Sequence, residues 1–355
     1  MNRLPNSSDA GSAHWHLRAK DSDGTSAMLH TGTATKRLDW LGKIGLAGVR
    51  PFYHTSLGAA FLEDSLIGMR RIPPESVDLV LTSPPFALTR KKEYGNEPAE
   101  RYLAWFLPFC EEIRRILKPT GSFVLDIGGA WIPGAPVRSM YHFEVALALS
   151  KKFCLAQDFY WYNPSRLPTP AEWVTVRRVR VKDAVNTVWW FSKSETPNAD
   201  NRRVLAPYSD SMKTLLKSGY KPKKRPSGHD ISHKFGRDNG GAIPSNLLTI
   251  ANTESNSAYL RLCRELSIKP HPARFPARLV EFFFDLLLVA KRAIVLDPFA
   301  GSNVTGSVAE RKGVHWVTFE RDDEYMRGSA LRFLEGPLFV DGRVKNLVTG
   351  APAAG

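Results

Sequence analysis

The sequence has little cysteine and no long uninterrupted apolar segment. Its 355 residues include three cysteines, Cys110, Cys154 and Cys263, which lie far apart and form no Cys-x-x-Cys pair. This spacing argues against a disulfide framework or a zinc site, and we predict no metal. The most apolar region, residues 282–296, contains three charged residues and is too short to span a bilayer. We therefore expect no membrane association.

The beginning of the sequence also lacks the continuous apolar segment that a secretory signal requires. Residues 1–50 are polar and rich in Ser, Thr, Gly and Asp, and we interpret them as a flexible tail. With 43% hydrophobic residues, the 355-residue chain can bury a substantial core. These features predict a soluble, cytoplasmic protein.

A short proline-rich segment, TSPPF at residues 82–86, directly follows the apolar stretch 77–81. Because two prolines disfavour a helix and remove two backbone donors, the strand must end in a stiff turn. Ser83 and the carbonyl group of Pro84 can accept hydrogen bonds from a planar amino group, and Phe86 can stack on a flat heterocycle. Taken alone, the segment is explained equally well as a turn that closes the core.

A second segment, AIVLDPFAGSNVTG at residues 293–306, has the pattern of a buried strand, a glycine-containing loop and a helix. Gly301 lets the backbone approach a ligand closely, and Asp297 can hold an ammonium or hydroxyl group at the strand end. Glu320 ends the next strand-like stretch, where an acidic side chain can bind both ribose hydroxyls. The pattern indicates a nucleotide-like ligand.

Two motifs that bind phosphate are missing from this loop. No lysine follows the glycines, which argues against a phosphate-binding P-loop. The loop also has no complete G-x-G-x-x-G, which favours a ligand without a pyrophosphate group. S-adenosyl-L-methionine is the predicted cofactor.

Together the two segments resemble the catalytic and cofactor motifs of amino-group DNA methyltransferases, whose catalytic motif reads S/T/D/N-P-P-Y/F. Serine before the prolines and phenylalanine after them resembles the cytosine-N4 branch. The order, with the catalytic motif first and the cofactor loop later, is that of the permuted beta class. The resemblance covers residues 57–333 and includes ALTRKKEYGN at 87–96, RVKDAVNTVWWFSK at 180–193, RPSGHD at 225–230 and HPARFPA at 271–277.

The resemblance implies a role for individual residues. Asp64 occupies the position that contacts the adenine amino group, and Phe275 the one that packs on the methionine end of the cofactor. Glu63 and Asn303 stand where the family usually has glycine. The implied catalytic residues are Ser83, Pro84, Pro85 and Phe86. The implied cofactor-binding residues are Asp64, Phe275, Asp297, Phe299, Gly301, Ser302, Thr305 and Glu320.

Positive charge is concentrated in one part of the chain. The formal net charge is +14, and residues 164–240 contain 16 Lys or Arg against 7 Asp or Glu. Such an excess favours binding to a polyanion, although a solvated basic face is the alternative. Trp173, Trp189 and Trp190 are interleaved with these cations and suggest a packed or stacking surface. The predicted DNA-binding residues are Arg177, Arg178, Arg180, Lys182, Lys223, Lys224 and Arg225.

Alternating elements predict an α/β doubly wound, mostly parallel sheet of the S-adenosylmethionine-dependent methyltransferase fold, permuted and with an inserted basic DNA-recognition region. We predict strands at 77–81, 122–126 and 158–162 and helices at 99–117 and 143–150, before regular patterning fades. The predicted organisation is a tail at 1–50, a catalytic half at 51–163, a recognition region at 164–250, a cofactor half at 251–340 and a tail at 341–355.

The resemblance implies methyl transfer to N4 of cytosine in double-stranded DNA by a monomer, with a possible cognate restriction endonuclease acting on the same site. Two alternatives remain open: an N6-adenine methyltransferase on the same scaffold, and a non-catalytic DNA-binding protein. Methylation at cytosine carbon 5 needs a cysteine thiolate, typically from a Pro-Cys dipeptide. No cysteine here follows a proline.

Overall fold

The computed structural model describes residues 15–16, 28–29, 38–87, 95, 97–219, 237–253, 257–290, 292–334 and 338–340. Two short strands near the start of the chain, β1 and β2, pair only with each other. The other ten strands form one mixed, mostly parallel sheet. The strands are β1 (Trp15–His16), β2 (Met28–Leu29), β3 (Tyr53–His54), β4 (Gly58–Leu62), β5 (Val77–Thr82), β6 (Leu117–Ile127), β7 (Cys154–Tyr162), β8 (Val185–Ser192), β9 (Leu247–Thr249), β10 (Ile294–Asp297), β11 (His315–Glu320) and β12 (Phe339–Val340).

Helices connect the strands and cover the sheet. They are α1 (Asp39–Lys43), α2 (Ser65–Arg71), α3 (Ala99–Ile116), α4 (Tyr141–Leu149), α5 (Asp210–Ser218), α6 (Ala258–Glu265), α7 (Ala277–Leu287), α8 (Val304–Lys312) and α9 (Asp323–Ala330). One group of buried side chains combines α2, α3 and α4 with the sheet, and another combines α7 and α8 with it. The α/β prediction is therefore confirmed. Within the described residues no helix is long and apolar enough to cross a membrane.

The strand order is β12-β3-β4-β11-β10-β5-β6-β8-β7-β9, and the direction of chain progression changes between β10 and β5. From β5 the chain crosses through α3 to β6 on one side, whereas from β10 it crosses through α8 to β11 on the other. Loops that leave the carboxyl ends of parallel strands diverge at such a switch point and leave a crevice. The two segments singled out in the sequence follow these two strands.

Helix α3 shows why the apolar spacing was informative. Its buried residues recur at helical intervals, and the helix stops at Ile116, where β6 begins at once. The predicted helix over 99–117 is thus confirmed, while β6, α4 and β7 all begin earlier than predicted. The buried residues of α3 are Tyr102, Phe106, Phe109, Cys110, Ile113 and Ile116.

Strand β8 corrects the interpretation of the basic region. It lies between β6 and β7 and pairs antiparallel with both. Trp189 and Trp190 are each only 8% exposed, and they point into the cores on opposite faces of the sheet. Of the two alternatives, a packed or a stacking surface, the structure supports the packed one, because a strand inside the sheet buries both of its faces. Residues 164–250 therefore include strands of the main sheet.

The N-terminal prediction also needs a correction. Residues 38–50 are not a loose tail, because α1 and the turn after it bury Leu41, Ile44 and Leu46 in the core that contains α3. Apolar residues at this spacing are sufficient to anchor a short helix against the sheet. The predicted tail at 341–355 lies outside the described residues.

Candidate active site

One cavity of about 410 Å³ opens at the carboxyl ends of β5 and β10. It is lined by residues from both sequence segments, by the end of β6, and by the stretch 271–275. Its volume is within the range of about 300–1,000 Å³ that is usual for small-molecule sites. The cavity thus brings together the two loops that the sequence separates. Its lining includes Ser83, Pro84, Pro85, Phe86, Asp64, Phe275, Phe299, Gly301, Ser302 and Glu320 among the predicted residues.

Ser83 follows β5 directly and faces the end of β6. Its Oγ donates a hydrogen bond to Oδ2 of Asp126 across 3.0 Å, and Nδ2 of Asn186 donates to Oδ1 across 3.3 Å. Phe86 is held against the backbone at Gly128, where an added Cβ atom would lie 2.5 Å from the ring. The hydroxyl group, the carboxyl group and the ring consequently have fixed relative positions.

Burial changes the acidity of Asp126. The side chain is almost fully removed from solvent, and desolvation raises its pKa to about 6, although the hydrogen bonds from Ser83 and Asn186 oppose this shift. At neutral pH the carboxyl group is therefore mainly ionised but close enough to its pKa to accept a proton. Perturbed carboxyl groups in clefts are common at active sites.

Asp297, at the end of β10, does not line the cavity. Its carboxyl group is buried and accepts hydrogen bonds from Oγ1 of Thr82 at 2.6 Å, from Oγ1 of Thr305 at 2.7 Å and from the amide of Phe299 at 3.0 Å. Desolvation raises its pKa to about 6. Asp297 and Thr305 therefore join the two strand ends and shape the cofactor loop, and their direct contact with the cofactor stays a prediction.

Glu320, at the end of β11, holds the cofactor loop from the other side. Its Oε2 accepts a hydrogen bond from the amide of Gly301 at 2.8 Å, and its Oε1 accepts one from the amide of Asp322 at 2.9 Å. Burial raises the pKa of Glu320, while these backbone hydrogen bonds act in the opposite direction. Gly301 has a φ of +52°, and a Cβ atom there would lie 3.0 Å from the ring of His271. A side chain at Gly301 would thus crowd the cavity wall.

Aromatic side chains form one wall of the cavity. The ring of Phe299 lies 4.9 Å from that of Phe109 and 5.7 Å from that of Trp105, measured between centroids. Asp64 caps α2 by accepting a hydrogen bond from the amide of Leu66 at 2.8 Å. The neighbouring Glu63 forms an ion pair with Arg71. This wall offers a flat apolar surface beside carboxylates.

Ser302 is fixed by Arg332, which donates to its carbonyl oxygen at 2.7 Å and to its Oγ at 3.2 Å. The guanidinium group of Arg332 also lies 4.4 Å from the centre of the ring of Tyr259. The loop that follows β10 is therefore held by Glu320 on one side and by Arg332 on the other.

The predicted DNA-binding residues fall into three groups. Arg177 and Arg178 are exposed, and Arg177 lies 5.0 Å from the centre of the ring of Trp173. Lys182 is exposed and Arg180 is half-buried, and both donate hydrogen bonds to backbone carbonyl groups. Residues 223–225 lie outside the described residues. Within the described part of the chain, no group of three or more His, Cys, Asp or Glu side chains is arranged to hold a metal ion.

The sequence interpretation missed Asp126, Asn186 and Arg166 among the residues of this site. Asp126 ends a predicted strand, so its position at a carboxyl end was a usable signal. Asn186 had no such signal, because the strand that carries it was not predicted. Arg166 also lines the cavity, and its charge lowers the pKa of Asp126.

Comparisons with known proteins show which proteins this chain is similar to. The chain is 54% identical over 293 residues to the type II methyltransferase M.PvuII of Proteus hauseri, covering 81% of this chain and 87% of that protein. It is 28% identical to M.BglII of Bacillus subtilis, over 81% of this chain and 71% of that protein. The solved PvuII DNA methyltransferase, described as cytosine-N4-specific, superposes with a TM-score of 0.68 and 44% identity over 86% of this chain and 95% of that chain. Residues 77–331 match the family model described as DNA methylase, and the chain belongs to this family.

Proposed function

We propose that this chain transfers a methyl group from S-adenosyl-L-methionine to the N4 amino group of cytosine in double-stranded DNA. The observation that carries the proposal is the single cavity shared by Ser83, at the end of β5, and by Gly301 and Glu320 of the cofactor side. The 54% identity to M.PvuII and the likeness to the cytosine-N4-specific PvuII enzyme support this choice of base.

The cavity residues fit the proposed cofactor. Glu320 is a carboxylate beside the backbone of Gly301 and can bind ribose hydroxyl groups, while Phe299 offers a face for the adenine ring. Asp64 lies on the same side and can accept a hydrogen bond from the adenine amino group. Phe275 and the stretch 271–274 line the part nearer to Gly301, where the methionine end would lie. When bound, the cofactor supplies an electrophilic sulfonium methyl group.

The target amino group is paired inside the duplex, so the nucleotide must leave the helix to enter the cavity. Phe86 then offers a ring for stacking, with Pro85 completing the wall. Because Ser83 donates its proton to Asp126, the lone pairs of its oxygen remain available to accept a hydrogen bond from the N4 amino group. The carbonyl group of Pro84 can accept a second one.

These two acceptors draw the amino nitrogen away from conjugation with the ring and orient its lone pair toward the methyl group. No strong base is needed before attack, since the nitrogen becomes acidic once it carries the methyl group and a positive charge. The proton can pass through the Ser83 hydroxyl group to Asp126, whose pKa of about 6 suits a proton acceptor at neutral pH.

The basic residues of the recognition segment would contact the DNA backbone. Arg177 and Arg178 are exposed, and their charge favours phosphate. Lys182, Lys223, Lys224 and Arg225 remain predicted DNA contacts. We further propose that the protein acts as a monomer in the bacterial cytoplasm and protects the site of a cognate restriction endonuclease, as the type II names of its relatives suggest.

The test is to incubate the protein with duplex DNA and cofactor labelled in the transferred methyl group, to digest the DNA to nucleosides, and to identify the product by mass spectrometry. We expect N4-methylcytosine. Label in N6-methyladenine would support the adenine alternative on the same scaffold. No label in DNA, with cofactor binding intact, would instead indicate a non-catalytic DNA-binding protein.

A further inference from the structure

A small hairpin projects from the sheet between β6 and α4. It comprises residues 130–139 and is called the tip hairpin below. Its two arms are joined by hydrogen bonds from the amide of Ile132 to the carbonyl oxygen of Val137 and from the amide of Ser139 to that of Ala130, both at 2.9 Å. Gly134, with a φ of +75°, makes the turn. The hairpin is therefore a defined structural element.

The end of the tip hairpin is apolar and exposed. Its sequence over 132–137 is IPGAPV, without a single charged or hydrogen-bonding side chain. Ile132 is 46% exposed and Val137 is 51% exposed, although burial in a nearby core would stabilise both. Exposed apolar side chains gathered on one projecting turn usually mark a binding surface.

Basic residues surround and brace this apolar end. The guanidinium group of Arg180 lies 3.9 Å from the centre of the ring of Trp131 and donates a hydrogen bond to the carbonyl oxygen of Pro136 at 2.7 Å. Arg138, on the second arm, forms an ion pair with Asp183 at 2.9 Å. Arg180, predicted to contact DNA, thus fixes the tip hairpin to the recognition segment. A braced element can enter a ligand without losing its shape.

The tip hairpin also stands at the entrance of the active site. It follows the end of β6 that carries Asp126, and the backbone at Gly128 touches the ring of Phe86. Ile132, Trp131 and Pro133 line a second cavity, of about 710 Å³, together with Ala87, which follows the catalytic segment. This second cavity and the active-site cavity share Gly95, Trp105 and Arg321 as lining residues.

The apolar end of the tip hairpin lies a short distance along the chain from the backbone that touches Phe86. Ile132 is four residues after Gly128, which touches Phe86, so their Cα atoms lie at most about 14 Å apart along the chain. Proteins that distort DNA insert apolar side chains such as Ile and Pro between base pairs. A nucleotide that leaves the duplex creates a gap in the stack, and filling this gap offsets part of the lost stacking.

We propose that the apolar end of the tip hairpin enters the duplex at the place that the target nucleotide leaves, with Ile132 and Val137 as the side chains that fill the gap. The proposal rests on the proposed function, since it requires a nucleotide to be extruded into the cavity. The charge of Arg138 and Arg180, which both lie against the ring of Trp131, favours a polyanionic partner over an apolar protein surface.

The test compares two DNA duplexes that differ only in the residue opposite the target cytosine, which is guanine in one and an abasic site in the other. We would replace both apolar side chains in an Ile132→Ser, Val137→Ser variant, which retains the backbone hydrogen bonds of the hairpin. The single-turnover methylation rate on the paired duplex is expected to fall at least about tenfold, because extrusion from a pair is costly. On the abasic duplex, where little remains to be displaced, the rate should stay within about threefold of the wild-type rate.

Two further variants complete the design. Val289→Ser removes an apolar side chain of the same exposure, 46%, just beyond α7, and should leave both rates unchanged. Ile132→Leu with Val137→Leu keeps the apolar volume of the tip and should keep the rate on the paired duplex. Cofactor binding by the serine variant, measured by calorimetry, should equal that of the wild type, which shows that the variant is folded.

The outcomes separate this inference from the proposed function. Equal slowing on both duplexes, or no slowing on the paired one, would overturn the gap-filling role while leaving methyl transfer intact. Changed self-association of the serine variant with an unchanged ratio of the two rates would identify the tip as a contact between copies and would also overturn it. If the wild type methylated neither duplex, the proposed function itself would fail, and the gap-filling role with it.

Discussion

The Oγ atom of Ser83 lies 3.0 Å from Oδ2 of Asp126, joining the end of β5 to the end of β6. These residues are adjacent in space because the two strands are parallel neighbours in the sheet. The hydrogen bond directs the serine proton toward Asp126 and leaves the lone pairs of the oxygen free to accept a hydrogen bond. The acidity of Asp126 and the accepting ability of Ser83 are therefore linked.

Removal of the Ser83 hydroxyl group should abolish most turnover. We expect Ser83→Ala to lower the single-turnover methylation rate by about 100-fold or more, because a lost hydrogen bond aimed at the reacting group typically costs 10²–10³ in rate. Cofactor affinity, measured by calorimetry, should be unchanged because Ser83 is not among the proposed cofactor contacts. A rate equal to that of the wild type would remove Ser83 from the mechanism.

The methylation rate should depend on the ionisation of Asp126. Burial raises the pKa of this carboxyl group to about 6, so the accepting carboxylate form is populated above that pH and lost below it. We expect the single-turnover rate at saturating cofactor to rise between pH 5 and pH 7, with an apparent pKa near 6. Asp126→Asn should be slow and should lack this rise. A wild-type profile that stays flat across this interval would contradict the assignment.

Asn186 should set the position of that profile. Its Nδ2 donates to Asp126 at 3.3 Å, and this hydrogen bond lowers the pKa of the carboxyl group. Asn186→Ala removes the bond, so the rising part of the pH–rate profile should move to higher pH. The substitution is small and should leave cofactor affinity unchanged, so this affinity serves as the internal control. A shift to lower pH would contradict this expectation. It would show that the substitution lowers the pKa of Asp126 by relieving its desolvation more than it raises this pKa by removing the hydrogen bond.

Glu320 should matter for cofactor binding and much less for stability. In Glu320→Gln, the side chain loses its charge, and its amide group must face one of the two backbone amides that Glu320 accepts from. Loss of a charged hydrogen bond corresponds to about tenfold to 100-fold in affinity. Calorimetric titration with cofactor measures this change. Glu324→Gln, at an exposed position of α9, is the matched control and should bind normally.

Two glycines allow backbone strain to be separated from crowding of the cavity. Gly301→Ala and Gly313→Ala both place alanine at positive φ, +52° and +69°, which costs roughly 1–2 kcal/mol in stability. Only at Gly301 would the new methyl group meet a neighbour, His271, whereas nothing lies within 4 Å at Gly313. We expect similar urea midpoints for the two variants but weak cofactor binding for Gly301→Ala alone. Equal cofactor binding by both would show that the wall tolerates a methyl group.

The sequence was most informative where a local rule determines the structure. The apolar spacing of α3 predicts a helix whatever surrounds it, and two prolines after β5 must end that strand. The glycine-containing loop between β10 and α8 is likewise predicted from the residue types at its own positions. The cavity-lining positions of Ser83, Phe299, Gly301 and Glu320 were accessible from the sequence for this reason.

Positions that depend on distant partners were not accessible in this way. Asp297 looked like a ligand-binding residue, but Thr82 and Thr305 occupy its carboxyl group. Arg180 stays a predicted phosphate contact, but only the structure shows that its guanidinium group packs on Trp131. In both cases the residue type predicts the chemistry of a side chain, whereas its partner comes from another part of the chain.

By itself, the sequence determined the two motifs, the strands they follow and the excess of basic charge, because these depend on residue type and on spacing along the chain. Only the tertiary structure decided that the motifs share one cavity, that β8 runs between β6 and β7 and brings Asn186 to Asp126, and that an apolar hairpin stands beside them. Strand order and side-chain contacts arise from the packing of segments that are distant in sequence, and no local pattern specifies that packing.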